Sequence, residues 1–244
     1  MGAAVSIPRI HSDAVLEPEL EVPATPAQAH HLGVVLRRGA GDAVTLFNAR
    51  DGEWAAEIVA LRKDRGSFRL GMRIRPGAAE PPLTLLIAAL KRDAMDWLVE
   101  KATELGVTHI RPVLTRRSVV AHSNTERLAA IARGAAEQCE RLGVPRMDAA
   151  LPLHAVLDGW DGQPLLVAAE RRVSPPMRAV ALGARALLIG PEGGFTPGEL
   201  DDLAARPFVS PCRLGPRILR AETAAVAGLA ALQALSGDWA EVLN

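Results

Sequence analysis

Ala186-Leu187-Leu188-Ile189-Gly190-Pro191-Glu192-Gly193-Gly194-Phe195-Thr196-Pro197-Gly198-Glu199 is the stretch whose reading decides the fold. Four consecutive apolar residues make a short strand covered on both faces, the pattern of a parallel sheet. Glycines and a proline end it. Thr196, with Glu199 three residues on, makes a capping box, and Pro197 takes the first helical position. A buried strand, a glycine-rich loop and a capped helix together are the repeating grammar of an α/β domain. Ligands of such sheets collect at the carboxyl ends of the strands, and glycines let a backbone approach them closely. Taken alone, the loop fits a small-ligand site and a tight turn about equally. No Gly-Lys-Ser/Thr follows it and it is not GxGxxG, so neither a phosphate loop nor a dinucleotide fingerprint has support.

The same grammar extends outward from this stretch. Leu83–Leu90 is a nearly continuous apolar run, and Ile110–Leu114 and Leu165–Ala169 are further short strands. Asp93 can cap a helix carrying Met95, Leu98, Val99, Ala102 and Leu105 at helical spacing, closed by Gly106. Asn124 starts a second helix with Leu128, Ile131, Ala132, Ala135, Cys139 and Leu142 on one stripe. Glu222–Leu235 is apolar almost all round and belongs in the core or at a subunit interface. Strands alternating with helices predict an α/β domain with a mainly parallel sheet. Upstream the pattern is β-rich. Ala43–Phe47 and Glu53–Leu61 are strands, and Phe68, Leu70, Met72 and Ile74 alternate with polar residues or glycine as a strand with one buried face. This predicts a meander or small barrel. Pro76–Pro82 can sustain neither helix nor central strand and is the linker. The expected domains are therefore 1–76 and 83–244.

Among the 244 residues, Lys plus Arg and Asp plus Glu each number 28, so the formal net charge is zero. A generally basic nucleic-acid coat is excluded, whereas local arginine patches are not. Arg9, Arg37, Arg38, the run Arg111–Arg117, Arg213, Arg217 and Arg220 are candidates for phosphate contacts. Cys139 and Cys212 lie far apart and form no CxxC pair, which argues against disulfide or zinc frameworks and for a reducing cytoplasm. His30 and His31 lack a third ligand nearby, so no metal is expected. No stretch approaches the roughly 20 apolar residues of a membrane span, and the N-terminus has no secretory pattern.

The second informative segment is Arg213-Leu214-Gly215-Pro216-Arg217-Ile218-Leu219-Arg220-Ala221-Glu222-Thr223-Ala224. Glu222 and Thr223 suit the positive end of a helix dipole. Arginines crowding that same end do not, and an anionic partner such as RNA phosphate would compensate them.

These two segments resemble the paired C-terminal signatures of the RsmE family. Further matches follow the family's order: His30-His31-Leu32, Val35-Leu36-Arg37 and Gly41-Asp42, then Lys91, Lys101–Val107, Arg117–Val120, and Ala135–Cys139 with Arg141, Val144 and Pro145. Ala221 stands where the family usually has threonine, and Gly134 where an acidic residue is common. The resemblance implies an N-terminal PUA-like β-barrel that binds RNA and a C-terminal SPOUT domain tied in a deep trefoil knot. It implies a homodimer that uses S-adenosylmethionine to methylate N3 of a specific uridine in 16S ribosomal RNA, free or in the 30S subunit. Cofactor-binding residues are then expected in three loops: Val167, Ala168 and Ala169; Ile189, Gly190, Pro191, Glu192, Gly193 and Gly194; and Leu214, Gly215, Ile218 and Leu219 with Thr223 and Ala224. Arg220 and Glu222 are the candidate catalytic pair, for charge stabilisation and proton acceptance. Arg9, Arg37, Arg38, Arg116, Arg117 and Arg217 are the candidate RNA contacts.

Overall fold

The computed structural model describes residues 7–120, 123–169 and 173–243. Two compact units emerge, one from the chain up to Glu80 together with Ala136–Val144, the other from Pro81–Ala135 together with the chain from Pro145.

The first unit is a five-stranded sheet of β1 (Arg9–His11), β2 (Glu21–Ala24), β3 (Ala43–Asn48), β4 (Gly52–Arg62) and β5 (Arg65–Arg75), in the order β1-β3-β4-β5-β2. Only β1 and β3 pair in parallel. A short helix α1 (Pro26–His30), capped by a Thr25–Gln28 box, lies between β2 and β3. Phe68 and Leu70 enter the core with Ile10, Val22, Leu46, Trp54 and Ile58. The expected buried face does not continue beyond them, because Met72 is 77% and Ile74 54% exposed. The cause is visible in the pairing. β2 flanks β5 only as far as Arg69, and irregularities on the β4 side at Glu53, Trp54 and Ala56 break the alternation.

Glu53 is the buried charge of this unit. Its carboxylate accepts from Arg9 Nε at 2.7 Å and Arg75 Nε at 2.6 Å. Arg9 stacks over Phe47 at 3.8 Å and donates its remaining groups to the carbonyls of Ala136, Glu137 and Arg141.

The second unit carries β6 (Thr84–Ala88), α2 (Arg92–Glu104), β7 (His109–Leu114), α3 (Thr125–Gln138), β8 (Arg146–Met147), β9 (Leu151–Pro152), α4 (Leu153–Asp158), β10 (Leu165–Ala168), β11 (Ala186–Ile189), α5 (Pro197–Ala204), β12 (Val209–Cys212) and α6 (Ala221–Ser236). The last turn of α3 groups with the first unit. All of the sheet is parallel, in the order β12-β10-β11-β6-β7-β8, with β9 also on β7. Leu85, Leu86, Ile87, Leu165, Leu187 and Leu188 are fully buried, as continuous apolar runs in a covered sheet should be. The helix α6 packs on α2, and the buried Gln233 amide of α6 donates to the Leu105 carbonyl at 2.8 Å.

Two helix boundaries differ from the sequence expectation. Lys91, not Asp93, is the N-cap of α2; Asp93 sits in the first turn, where the dipole favours its charge without a capping bond. The helix α3 stops at Gln138, so Cys139 and Leu142 leave the stripe; Glu140 turns the chain with a left-handed φ of 62°.

Candidate active site

The strands β10 and β11 lie side by side in parallel, so the loops leaving their carboxyl ends fall together. A cleft opens there. Ala168 and Ala169 line it from the end of β10, Ile189, Gly190, Pro191, Glu192 and Gly194 from the end of β11. Ile218, Leu219 and Ala224 supply the third wall at the start of α6. All three expected loops thus contribute. Val167, Gly193, Leu214, Gly215 and Thr223 are not among its lining residues, whereas Phe195, Leu200 and Ala221 are. The β10 loop continues into residues 170–172, outside the described residues.

The glycine loop is tightly built. A Cβ on Gly190 would lie 2.9 Å from the Phe195 ring, and Phe195 is itself core, so only glycine fits. The Gly194 N–H donates to the Pro191 carbonyl at 2.7 Å, closing the turn. Arg117 holds the loop from outside: its Nη1 donates to the Gly193 carbonyl at 2.7 Å, and its side-chain carbons lie against Gly193. Next to it, the Arg116 N–H donates to Glu199 Oε1 at 2.7 Å, while Glu199 Oε2 accepts from the Thr196 N–H at 2.8 Å. Burial works to raise the Glu199 carboxyl, but these N–H groups and the Thr196 hydroxyl hold it below its ordinary value. Glu199 therefore fastens the loop and α5 together.

Beside the cleft lies an open depression lined by Lys91, Arg92, Asp93 and Ala94 from the start of α2, by Glu192, and by Arg220 and Glu222 from the start of α6. Glu192 belongs to both linings. Arg220 is exposed at the N-cap of α6 and Glu222 is half-buried in its first turn. Of the candidate RNA contacts, Arg37, Arg116, Arg117 and Arg217 are exposed and Arg38 is half-buried. Arg9 is different, with a side chain 11% exposed and its guanidinium bound to Glu53 and three backbone carbonyls. Those partners make Arg9 part of the frame of its unit and remove it from the RNA set. Among the described residues no group of three or more His, Cys, Asp or Glu is placed to hold a metal ion.

A family model described as an RNA methyltransferase domain matches residues 78–233, and one described as an RNA methyltransferase PUA domain matches residues 24–70. The ribosomal RNA small subunit methyltransferase E of Rickettsia conorii is 32% identical over 223 residues, spanning 90% of this chain and 91% of that protein. The chain belongs to the ribosomal RNA small subunit methyltransferase E family. Its relative of the same description from Bacillus subtilis is 32% identical, over 88% of this chain and 91% of that one. The crystal structure of the Neisseria gonorrhoeae family member, bound to S-adenosylmethionine, superposes with a TM-score of 0.86 at 29% identity, covering 96% of this chain and all of that one. A Legionella pneumophila protein solved in complex with the same cofactor gives 0.85 at 31% identity, covering 96% and 99%. In this enzyme family the fold is therefore a PUA domain joined to an α/β domain of the SPOUT class.

Sequence reasoning did not bring Lys91, Arg92 and Asp93 together with Glu192, Arg220 and Glu222, beside which they line one depression. A signal was present: they directly follow a buried parallel strand, the position at which α/β sheets carry their ligand contacts.

Proposed function

We propose that this protein is a S-adenosylmethionine-dependent methyltransferase that modifies N3 of a uridine in small-subunit ribosomal RNA. The observation that carries the reading is the pairing of an apolar, backbone-lined cleft with a charged depression through one shared residue, Glu192. The cleft suits the cofactor: alanine, isoleucine and leucine walls fit an adenine face, and a loop kept close by Gly190 leaves backbone groups to read its edge. Bound there, S-adenosylmethionine supplies a sulfonium methyl carbon; the uridine N3 lone pair forms the new N–C bond, the C–S bond leaves its electron pair on sulfur, and the N3 proton passes by way of a protein carboxylate to solvent.

The protein's own groups do the rest. Arg220 stabilises negative charge on a uracil carbonyl oxygen, and Glu222 accepts the N3 proton. Arg37, Arg38, Arg116 and Arg217 bind phosphate. Arg117 divides its guanidinium between the Gly193 carbonyl and the RNA side. Residues 1–76 form the RNA-binding PUA-like domain and 83–244 the catalytic domain, whose deep trefoil knot brings the cofactor loops together.

The same reading includes a homodimer, supported by Trp97 on α2 and Leu235 on α6, which stay exposed on helices that pack on each other. It also places the enzyme in the cytoplasm, supported by two free cysteines, Cys139 and Cys212. The substrate is ribosomal RNA, free or in the 30S subunit. Nucleoside mapping tests the reading. Small-subunit RNA incubated with the protein and S-adenosylmethionine should yield N3-methyluridine; a methylated ribose or guanine in its place refutes it.

A further inference from the structure

The strands β6 and β11 are neighbours in register, Thr84 opposite Ala186 and Ile87 opposite Ile189. Their carboxyl ends therefore deliver two chain segments to one place: β11 delivers the cofactor loop, and β6 delivers Lys91, Arg92 and Asp93. The start of α6 adds Arg220 and Glu222. The resulting depression encloses roughly 710 Å³, ample for a nucleotide beside the cofactor cleft. Three cations and three carboxylates line it, namely Lys91, Arg92, Arg220, Asp93, Glu192 and Glu222.

What distinguishes them is that charges of both signs gather on one rim without pairing. Several cations elsewhere are paired: Lys101 with Glu100 and Glu104, Arg111 with Asp148, Arg9 with Glu53. Among the described residues, these six make no hydrogen bond or ion pair with one another through their side chains, and all but Glu222 are exposed. Oppositely charged groups gathered on one rim yet left unpaired keep their full capacity for a ligand that enters between them. The rim is also built in two halves. Lys91 stands on the α2 side and Arg220 on the α6 side, with Glu192 common to the cleft that faces the methyl donor.

A uracil ring that loses its N3 proton spreads the charge over two carbonyl oxygens, one on each side of N3. We propose that Lys91 is a further catalytic residue: the acceptor base enters this depression with N3 toward Glu192 and the cofactor cleft, one carbonyl oxygen meeting the Lys91 ammonium and the other the Arg220 guanidinium. Two cations, one per oxygen, stabilise the anion as the N3 proton passes to Glu222 on the same rim, in the manner of an oxyanion site. Asp93 and Arg92 flank Lys91 on α2, Glu192 faces it from the cofactor loop, and Arg220 and Glu222 face it from α6.

This inference rests on the uridine N3 reading above, and the test separates the two. Lys91→Met and Lys91→Arg are compared with the unaltered protein in single-turnover methylation at saturating RNA across pH, with S-adenosylmethionine affinity measured by calorimetry. The methionine variant should keep its cofactor affinity, lose about 100-fold in rate at neutral pH, the low end for an oxyanion donor because Lys91 is exposed, and show its rate rising at higher pH than the unaltered enzyme. The arginine variant should recover much of the loss. A Lys91→Met rate and pH profile equal to those of the unaltered enzyme, or a defect confined to cofactor binding, overturns the role of Lys91 while the N3 reading stands. If the unaltered enzyme produces no N3-methyluridine, both readings fall.

Discussion

Replacing Arg117 with alanine should weaken S-adenosylmethionine binding even in the absence of RNA. Arg117 Nη1 reaches the Gly193 carbonyl at 2.7 Å, and the Phe195 carbonyl only at a long 3.5 Å, so one strong bond is at stake. A net hydrogen bond involving a charged group contributes about 1.5–3 kcal/mol, and the exposure of this arginine puts it at the low end. Side-chain carbons of Arg117 also cover Gly193, so the loop loses a packing wall as well. The clamp is already formed without ligand, so its loss leaves the loop to be ordered on binding, and about 1.5 kcal/mol sets the ceiling, a weakening of up to roughly tenfold in cofactor affinity. Calorimetric titration of RNA-free protein reads it directly. An affinity within twofold of the unaltered value would mean that the clamp does not shape the cofactor site, leaving Arg117 to the RNA alone.

Other consequences follow from the same geometry. Gly190→Ala should destabilise the protein by about 1–3 kcal/mol, because its methyl group must displace the buried Phe195 ring; the urea midpoint reports this, and an unchanged midpoint contradicts the close packing. Glu53→Ala strands the guanidinium of Arg9 and should cost about 3 kcal/mol, the low end for a broken buried pair because Arg75 remains 41% exposed; urea unfolding checks it. Asp51 is held at about 2 against an ordinary 3.8, chiefly by its hydrogen bond with Arg50, opposed by burial and supported by the Leu16 N–H and the Asn48 amide. Because its folded value is depressed, the stability it contributes is present above about pH 4 and fades as pH falls toward about 2. Asp51→Asn should flatten that part of the stability profile, and an unchanged acid slope would count against the assignment.

The readability of this protein from sequence varied with how local the deciding force is. The strand β11 and the capping box of α5 were visible because burial on both faces and a Thr-to-Glu spacing leave their marks within a few residues. The strand β12 was not, since Pro211 reads as a breaker and is tolerated only because the strand is at the sheet edge. Met72 and Ile74 followed a clean alternation, yet their exposure depends on where β2 stops alongside, which no alternation encodes.

The site divided in the same way. Ten of the fifteen expected cofactor residues line one cleft, because a parallel sheet sends its loops to one end. Arg9 looked like any surface arginine, and only the fold brings Glu53 and the 136–141 carbonyls around it. Lys91 lay beside a recognisable strand, but its place next to Glu192 depends on β6 and β11 being neighbours, segments about a hundred residues apart, and its place near Arg220 on α6 packing against α2.

A crystal structure of the protein with S-adenosylmethionine tests the central claim most directly. The account predicts the cofactor between the 189–194 loop, the end of β10 and the 218–219 segment, with its methyl group directed past Glu192 toward Lys91 and Arg220. Cofactor seated instead in the cavity bounded by Thr115, His154 and Thr196 would contradict it.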